Sequence, residues 1–391
     1  MKIAILGGGV AGLSTAIALK LKGFDCHIYE RHSATSDMGA GVVCWPNACF
    51  VLDKLGVLDN LSKVSGLITT MKRIDQDNEI LGSLDITKLN KLMHYPSYAV
   101  LRKDLMKILE TRCKELAIPI HFKHQITFLS KHKTTGQTLV HFNNGKHITP
   151  DVIIGAEGRM NSLTRQFVHG NNQPVFQGFI NWIGVYQSDT PCFDEMSVYD
   201  YWGVGKRFGL VPTSNKTAYW AGGIAIDNID LSYTTHVKQR LLDYFVDWPP
   251  ITCEVIARAQ EDKIKTIFVH DHDPIDTWYK DNVLLIGDAA HAPLPTSGQG
   301  ACQALEDAWH LANCLSSKAF DIKTAFKQFN TIRSSKTANI TMLGRQLAQS
   351  IFNIDPQFCE QRNENAKSAD LSQLISGMAN GFSSGLPILN G

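Results

Sequence analysis

Residues 1–30 decide the fold, and they have the sequence MKIAILGGGVAGLSTAIALKLKGFDCHIYE. A short apolar run, Lys2 to Leu6, has strand character and ends at three consecutive glycines. A helix with apolar residues at helical spacing follows, and the alternating segment Asp25 to Tyr29 indicates a second strand. The order of strand, glycine turn, helix and strand predicts a parallel βαβ unit.

The glycine spacing in this unit is typical of a dinucleotide-binding site. Gly7 permits the tight turn, Gly9 lets the backbone approach a pyrophosphate, and Gly12 lets the helix pack close to the strand. The helix begins with unpaired amides and the positive end of its dipole, so a bound diphosphate needs no lysine. Glu30 can accept hydrogen bonds from a ribose diol and would repel a 2′-phosphate, which predicts FAD or NAD. A glycine-rich turn in an ordinary βαβ unit is the alternative, and the complete pattern favours binding.

Composition narrows the class of function. The 391 residues are enough for two or three domains, and 38 basic against 37 acidic residues give a net charge of +1. This balance disfavours nucleic acid and anionic membranes as partners, and no apolar run approaches the ~20 residues of a membrane span. Nine cysteines without a repeating framework are typical of a reducing compartment. We therefore expect a cytoplasmic protein without a membrane span.

A second glycine-containing motif follows the buried strand predicted at residues 283–286. Asp288 stands at the end of this strand and can bind a sugar-like hydroxyl. Gly298-Gln299-Gly300 then opens a predicted helix, Gly300 to Leu315, whose first amides would stabilise negative charge on a reduced ring by ~0.3–1 kcal/mol. The alternative is a plain strand, turn and helix with Asp288 as a capping residue.

With these motifs the chain resembles the single-component FAD aromatic hydroxylases, the class A flavoprotein monooxygenases, over roughly residues 1–345. The segment Asp151 to Arg165, with Gly158 and Ser162, is similar to that family's Asp-Gly motif, although Glu157 replaces the usual Asp. The resemblance implies FAD as cofactor, NADH or NADPH as transient reductant, and hydroxylation of an aromatic ring with O2 through a flavin hydroperoxide. It implies no catalytic side chain and no metal. The residues that we predict to bind the cofactor are Gly7, Gly9, Val10, Ala11, Gly12, Glu30, Arg31, Val43, Arg102, Ile126, Asp288, Gly298, Gln299, Gly300 and Ala301.

The resemblance also implies a fold, which is α/β: a Rossmann-like FAD-binding domain with an inserted β-sheet substrate domain and C-terminal helices. We place the FAD-binding domain at residues 1–72, 97–174 and 271–350, and the substrate domain at 73–96 and 175–270. Residues 351–391 form a C-terminal tail. Its last part, Ser376 to Gly391, is rich in glycine and serine and is expected to be loosely held.

Within that family the chain is most similar to the FAD-dependent urate hydroxylases, and it is also similar to salicylate hydroxylases. The motifs that carry this similarity are Gly39-Ala40 with Trp45-Pro46-Asn47, Asn181-Trp182 with Gly184, and Gly205-Lys206-Arg207 with Pro212. The resemblance gives substrate-binding roles to Asn181, Arg207 and Tyr219. Alternatively, Arg207 lies on the surface and Tyr219 in the core. Thr296 stands where the urate enzymes have Asp, so salicylate-like or hydroxynicotinate-like rings and tetracycline-type antibiotics stay open beside a urate-like ring.

Three other interpretations of the sequence are weaker. Cys44 and Cys49 have the spacing of a flavin disulfide oxidoreductase pair, but the second nucleotide domain of such enzymes is missing from the sequence pattern. His270-Asp271-His272-Asp273 could suggest a metal, and a solvated strand end is the favoured interpretation. A non-catalytic partner-binding protein on a flavoprotein fold, like the Rab escort proteins, would show decayed flavin motifs, and here they are intact. Whether the protein forms a homodimer stays open.

Overall fold

The computed structural model describes residues 1–34, 40–134, 136–171, 173–317 and 321–388. The predicted βαβ unit is present: its two strands, Lys2–Leu6 and Asp25–Tyr29, pair in parallel, and helix Val10–Leu21 connects them. They belong to a six-stranded sheet. The strand order of this sheet is Tyr279–Lys280, Val283–Leu285, Val152–Gly155, Lys2–Leu6, Asp25–Tyr29 and Ile120–His121. Parallel pairing brings the carboxyl ends of the central strands to one edge, and the glycine turns follow these ends.

A second, seven-stranded sheet contains the aromatic segments predicted between Val175 and Ile226, and we call it the substrate sheet. Its strand order is Lys265–Asp271, Val175–Gln187, Thr217–Ala225, Lys206–Pro212, Ser197–Trp202, Thr70–Asp75 and Ile80–Asp85. One face carries Trp182, Phe208 and Trp220 into a core with helices Val237–Tyr244 and Pro250–Arg258. Because side chains alternate along a strand, the neighbours of these residues lie on the opposite face.

Two three-stranded sheets and several helices complete the molecule. The sheets are Gly41–Cys44, Tyr98–Leu101 and Gly66–Leu67, and His147–Ile148, Thr138–Phe142 and Ile126–Lys131. The other helices before residue 320 are Pro46–Lys54, Leu58–Ser62, Ile86–Met93, Arg102–Glu115, Leu163–His169 and Gly300–Leu315, with short 3-10 turns at Leu231–Thr234, Glu261–Lys263, Gly287–Ala289 and Pro295–Ser297. The predicted mixed α/β fold with a β-sheet layer and C-terminal helices is confirmed.

The C-terminal region forms three helices, Ile322–Ile351, Pro356–Lys367 and Leu371–Ser383. The expectation that the chain is loosely held from Ser376 onwards is therefore wrong for the described residues. Ile375 and Ala379 are buried one helical turn apart, and Leu386 and Ile388 join the same core beyond the helix. Glycine and serine lowered the apparent helix content of this segment, yet the apolar residues at helical spacing still pack. Residues 389–391 and Gly39, which is part of one quoted motif, lie outside the described residues.

In the described part of the chain, no helix is both long and apolar enough to cross a membrane.

Candidate active site

The glycines of the first turn have different structural roles. Gly7 has φ +117°, and a Cβ atom there would lie 2.3 Å from the carbonyl oxygen of Ala156. A Cβ atom on Gly12 would lie 1.9 Å from the carbonyl oxygen of Gly7, so strand and helix approach as closely as predicted. Gly9 has no atom within 4 Å of such a Cβ, which leaves open space at the helix N-terminus. The first turn of this helix, which includes Val10 and Ala11, has no side-chain cap and no acidic residue, so it can receive an anion.

The carboxylate of Glu30 is fixed beside this turn. One oxygen accepts a hydrogen bond from the Gly8 amide at 2.6 Å and the other from the His32 amide at 2.9 Å. Glu30 is buried, whereas Arg31 is exposed and donates locally to His32 at 3.2 Å. Ile126 is half-buried at the start of strand Ile126–Lys131, and it packs against the same apolar cluster as Tyr29. The carboxylate therefore has a defined position at the end of the second strand, as a ribose-binding group requires.

The turn that contains Asp288 lies directly against the first helix. Gly287 has φ +54°, and a Cβ atom there would lie 2.7 Å from the Cβ of Ala11. The guanidinium of Arg165 holds this turn, because one nitrogen donates to the carbonyl oxygens of both Ala289 and Ala290 at 3.0 Å. The Asp288 turn thus lies beside the N-terminal turn of the first helix, so one dinucleotide can contact both.

Two cations surround Asp288. Arg159 pairs with its carboxylate at 3.4 Å, and both side chains are partly exposed. Arg102 begins helix Arg102–Glu115, and its Nε is buried without a hydrogen-bond partner in the described part of the chain. Burial lowers the pKa of Arg102, and the charge of Asp288 opposes that effect. An unpartnered buried guanidinium N–H is a donor available to a ligand.

A second open helix N-terminus lies at Gly298-Gln299-Gly300, which we call the flavin-side turn. Gly298 has φ +62°, and its carbonyl oxygen accepts a hydrogen bond from the Trp45 indole at 3.1 Å. Gly300 has no atom within 4 Å of an added Cβ, and helix Gly300–Leu315 has no side-chain cap and no acidic residue in its first turn, which includes Ala301. The carbonyl oxygen of Val43 accepts from the Cys302 thiol at 3.5 Å, so Val43 borders this turn.

The structure gives both departures from the family pattern a structural role. Glu157 accepts hydrogen bonds from the Leu163 amide at 3.0 Å and from the Ser162 hydroxyl at 3.1 Å, so it caps helix Leu163–His169. Burial raises the pKa of Glu157 despite these donors. The hydroxyl of Thr296 donates to the carbonyl oxygen of Gly344 at 2.9 Å and ties the flavin-side turn to helix Ile322–Ile351.

The three predicted substrate residues lie on one face of the substrate sheet. Asn181, Gly223 and Arg207 are directly opposite one another on three neighbouring strands. Tyr219 lies on the same face, and its ring fills the space beside Gly41, where a Cβ atom would fall 1.8 Å from Cδ1. Tyr219 therefore joins the substrate sheet to the strand that leads to Val43. Burial raises the pKa of Tyr219, so its hydroxyl stays protonated at neutral pH.

The alternative in which Arg207 lies on the surface and Tyr219 in the core holds for Tyr219, which packs against the main core, but the Arg207 side chain is only 21% exposed and ion-paired. Its Nε donates to Asp200 at 2.6 Å, and the Asp200 residue is only 2% exposed. Gly209, beside Asp200 on the neighbouring strand, has only the carbonyl oxygen of Ala221 near an added Cβ, at 3.9 Å. Gly209 and Ala221 thus form a floor without large side chains between Arg207 and Tyr219.

Sequence reasoning missed several of these partners. Trp45 and Asn47 were recognised as a motif without a role, and both support the flavin-side turn. Asp200 and Arg207 flank the hairpin turn Gly203–Gly205, and an aspartate within an aromatic strand was the signal that could have revealed this pair.

The donors in this region fit FAD. Two helix N-termini are open beside Gly9 and Gly300, and both Arg102 Nε and Gln299 Nε2 are buried without a partner in the described residues. Amide and guanidinium donors match the diphosphate and the carbonyl groups of a flavin ring. These residues would hold FAD between the first glycine turn and the flavin-side turn.

Comparison with known proteins agrees with this arrangement. The family model of the FAD binding domain matches residues 1–320. The chain belongs to the FAD binding domain family. An FAD-dependent urate hydroxylase of Mycolicibacterium vanbaalenii is 27% identical over 383 residues, which cover 97% of this chain and 95% of that protein. A 6-hydroxynicotinate 3-monooxygenase of Pseudomonas fluorescens is 26% identical, with 92% of this chain and 94% of that protein covered.

A solved structure extends the similarity to three dimensions. HpxO of Klebsiella pneumoniae, crystallised with FAD and uric acid, matches this FAD binding domain protein with a TM-score of 0.89 at 25% identity, covering 98% of this chain and 97% of that one. The comparisons confirm the predicted class, an FAD-dependent monooxygenase, and the predicted cofactor. The non-catalytic alternative is not supported.

The remaining alternatives disagree with the contacts seen in this FAD binding domain protein. Cys44 and Cys49 are fully buried, and burial raises the pKa of both thiols, which makes them poor redox nucleophiles. The interpretation of His270-Asp271-His272-Asp273 as a solvated strand end is wrong for Asp271, which is buried and paired with Arg345 at 2.7 Å. His291 is buried, and its Nε2 contacts Asp307 at 2.6 Å.

Proposed function

We propose that this FAD-dependent monooxygenase hydroxylates a small electron-rich aromatic or heteroaromatic ring, with urate as the nearest candidate. The observation that carries the proposal is the common face shared by Asn181, Arg207 and Tyr219 beside the strand of Gly41. Two similar proteins that are FAD-dependent urate hydroxylases support the choice of ring. Homodimer formation stays a prediction.

The residues of the two glycine motifs would hold the cofactor. The amides beside Gly9 would bind the diphosphate, Glu30 the adenosine ribose, and Asp288 and Arg102 the part that leads to the ring. The flavin-side turn would bind the ring itself. FAD, when bound and reduced by NADH or NADPH, supplies the transfer of one oxygen atom from O2 to the substrate ring.

The substrate residues offer complementary hydrogen-bonding groups. Asp200 engages Nε of Arg207, which leaves the planar end of the guanidinium to donate to anionic or carbonyl oxygens. Asn181 offers both a donor and an acceptor, and the protonated Tyr219 hydroxyl offers a further donor. An anionic ring is more electron-rich than its neutral form, so pairing with Arg207 favours a reactive substrate.

Because of Thr296, other rings are candidate substrates beside urate. Its neutral hydroxyl already donates to Gly344, so it brings no charge to the substrate. Salicylate-like and hydroxynicotinate-like rings, and tetracycline-type antibiotics, are therefore the alternatives within the same chemistry.

The reductant is proposed to dock transiently. Gly203-x-Gly205 lies in the hairpin between strands Ser197–Trp202 and Lys206–Pro212, and no helix follows it. This segment lacks the helix N-terminus that a second dinucleotide would use, so NADH or NADPH would reduce FAD and leave.

Oxidation of NADH and NADPH in air by FAD-loaded protein tests the proposal, with urate, salicylate, 6-hydroxynicotinate and tetracycline as separate additions. We expect urate to accelerate oxidation and to take up label from 18O2, with hydrogen peroxide measured as the uncoupled product. Stimulation by another ring and none by urate would make the substrate assignment wrong while keeping the reaction class. Peroxide alone with every ring would contradict hydroxylation.

The predicted division into residues 1–72, 97–174 and 271–350 against 73–96 and 175–270 is part of the proposal, as is a cytoplasmic location. All nine cysteines are free thiols, which supports a reducing compartment.

A further inference from the structure

A buried set of polar side chains lies beneath the flavin-side turn, and we call it the buried relay. Its members come from three helices and the turn itself, and all of them are almost inaccessible to solvent. They are Asn47, Gln299, Gln303, Glu306, Arg333 and Lys336. Polar groups at this depth normally have partners, and within the described residues only Asn47 Oδ1 and Gln299 Nε2 of this set lack one.

Arg333 sets the direction of the relay at one end. A guanidinium can only donate, so the hydrogen bond of 2.6 Å from its Nη2 fixes the side-chain oxygen of Gln303 as the acceptor. The amide nitrogen of Gln303 must then be the group that donates to Oε1 of Gln299, at 3.0 Å.

Glu306 sets the direction at the other end. Burial raises its pKa, and the charges of Arg333 and Lys336 outweigh burial and hold the pKa below its ordinary value. An ionised carboxylate can only accept, so Nδ2 of Asn47 donates to Glu306 at 2.7 Å. The same nitrogen lies 3.0 Å from Oε1 of Gln299. Both ends thus assign the acceptor role to Oε1 of Gln299, and its Nε2 has no partner in the described residues.

Lys336 connects the relay to the C-terminal helix. Its ammonium lies 2.9 Å from Glu306 and 2.8 Å from the carbonyl oxygens of Phe382 and Ser384. The Phe382 ring lies 5.9 Å from the ring of Trp45, which holds the carbonyl oxygen of Gly298. The C-terminal segment therefore contacts both Lys336 of the buried relay and Trp45, which supports the flavin-side turn.

We propose that Glu306 and Lys336 are positioning residues, which direct Nε2 of Gln299 toward bound flavin and make the C-terminal helix a support of the flavin-side turn. The inference rests on the FAD-binding part of the proposed function and not on the substrate. A fixed donor at this place stabilises the negative charge that the ring gains on reduction. The relay therefore affects reduced FAD more than oxidised FAD.

Glu306→Gln tests the direction of the relay at nearly constant shape. Glutamine can donate as well as accept, so the Asn47 amide is free to reverse and Gln299 loses its fixed orientation. We expect the Kd of FAD, measured by quenching of flavin fluorescence, to rise about tenfold, the factor for one ordinary hydrogen bond. Because this substitution also removes a negative charge beside Arg333 and Lys336, the midpoint potential is compared in Asn47→Ala, which changes no charge.

Asp271→Asn is the matched control. Asp271 is also a buried carboxylate paired with an arginine of helix Ile322–Ile351, and its partners Arg345 and Gln177 are not members of the relay. We expect this variant to lower the urea midpoint without changing the Kd of FAD or the potential. The inference is wrong if Glu306→Gln behaves in the same way.

Two further substitutions keep the test decisive if Glu306→Gln does not fold. Asn47→Ala removes the link between Glu306 and Gln299 without removing a charge, so it should raise the Kd of FAD about tenfold and make the midpoint potential, measured by dye equilibration, more negative. Lys336→Met should weaken FAD binding, and Lys336→Arg should restore part of the affinity. Wild-type affinity and potential in Asn47→Ala would overturn the proposal. None of these measurements needs a substrate, so a failed urate assay leaves them interpretable.

Discussion

The nucleotide end and the proposed substrate face of this protein are built in different ways. At the nucleotide end, backbone makes the site, because Gly7 and Gly12 permit the close approach of strand and helix and Gly9 leaves space. On the substrate face, side chains from separate strands make it, and Arg207 is held by Asp200 across a hairpin. A backbone site depends on local sequence, whereas a cross-strand site depends on register. Substitutions in the two regions should therefore change the stability of the fold, the binding of the cofactor and the binding of the substrate independently of one another.

Gly12→Ala should have the largest effect. The added Cβ would lie 1.9 Å from the Gly7 carbonyl oxygen, so the turn must move. We expect the free energy of unfolding of the FAD-free protein to fall by about 3 kcal/mol or more, measured by urea denaturation. Gly377→Ala is the control, since it is helical with open space around it and should stabilise by about 1 kcal/mol or less. Equal stability of Gly12→Ala and wild type would refute the close contact.

Gly9→Ala should separate cofactor binding from folding. The position has an extended backbone with φ −81°, and no atom is near the added Cβ, so stability of the FAD-free protein should change by about 1 kcal/mol or less. The methyl group would enter the space assigned to the diphosphate, and the Kd of FAD should rise about 100-fold, a loss of about 2.7 kcal/mol. Unchanged FAD affinity would mean that the diphosphate lies elsewhere.

Arg207→Gln should weaken the substrate face alone. Loss of charged hydrogen bonds costs about 1.5–3 kcal/mol, so KM for an anionic ring should rise about 10- to 100-fold while the Kd of FAD stays constant. Asp200→Asn keeps the guanidinium but loosens its position, and we expect a smaller rise in KM. Steady-state kinetics and flavin fluorescence measure the two quantities. Loss of FAD from Arg207→Gln would place this residue at the cofactor instead.

His310 should give the protein a modest pH-dependent stability. Burial, with the charge of Arg333, lowers the pKa of His310 from 6.5 to about 4. The unfolded chain therefore binds the proton more tightly, so stability is complete above pH 6.5 and declines as the pH falls toward 4. Between pH 7 and pH 5 we expect a loss of about 1–2 kcal/mol from this group, measured by urea unfolding. His310→Gln should flatten that part of the profile, and an unchanged slope would contradict it.

The sequence predicted the local elements well because their signals are local. Helix Gly300–Leu315 has the predicted bounds, and the strands of the first βαβ unit follow from apolar runs and glycine spacing. The C-terminal helix Leu371–Ser383 was missed because its glycine and serine content is typical of loops. Burial against the core compensates for that weak intrinsic preference, and a single sequence does not display it.

The buried charges were equally hidden from sequence reasoning. Arg333 and Lys336 lie in a long amphipathic helix, where charged residues normally indicate the solvent side. Here both are buried because Glu306 and Asp307 on a neighbouring helix supply opposite charges. Which helices meet is a tertiary property, so the pairing could not be read from spacing.

By itself the sequence determined that the chain forms a dinucleotide site, since the backbone conformations that a diphosphate requires are specified by glycines within a few residues. It also determined the family and hence the flavin chemistry. The tertiary structure alone decided how the Asp200 and Arg207 side chains pair, how Tyr219 fits beside Gly41, and how the C-terminal helix reaches the flavin-side turn. These contacts join segments far apart in the chain or in cross-strand register, and their free energy exists only once the sheets and helices have packed.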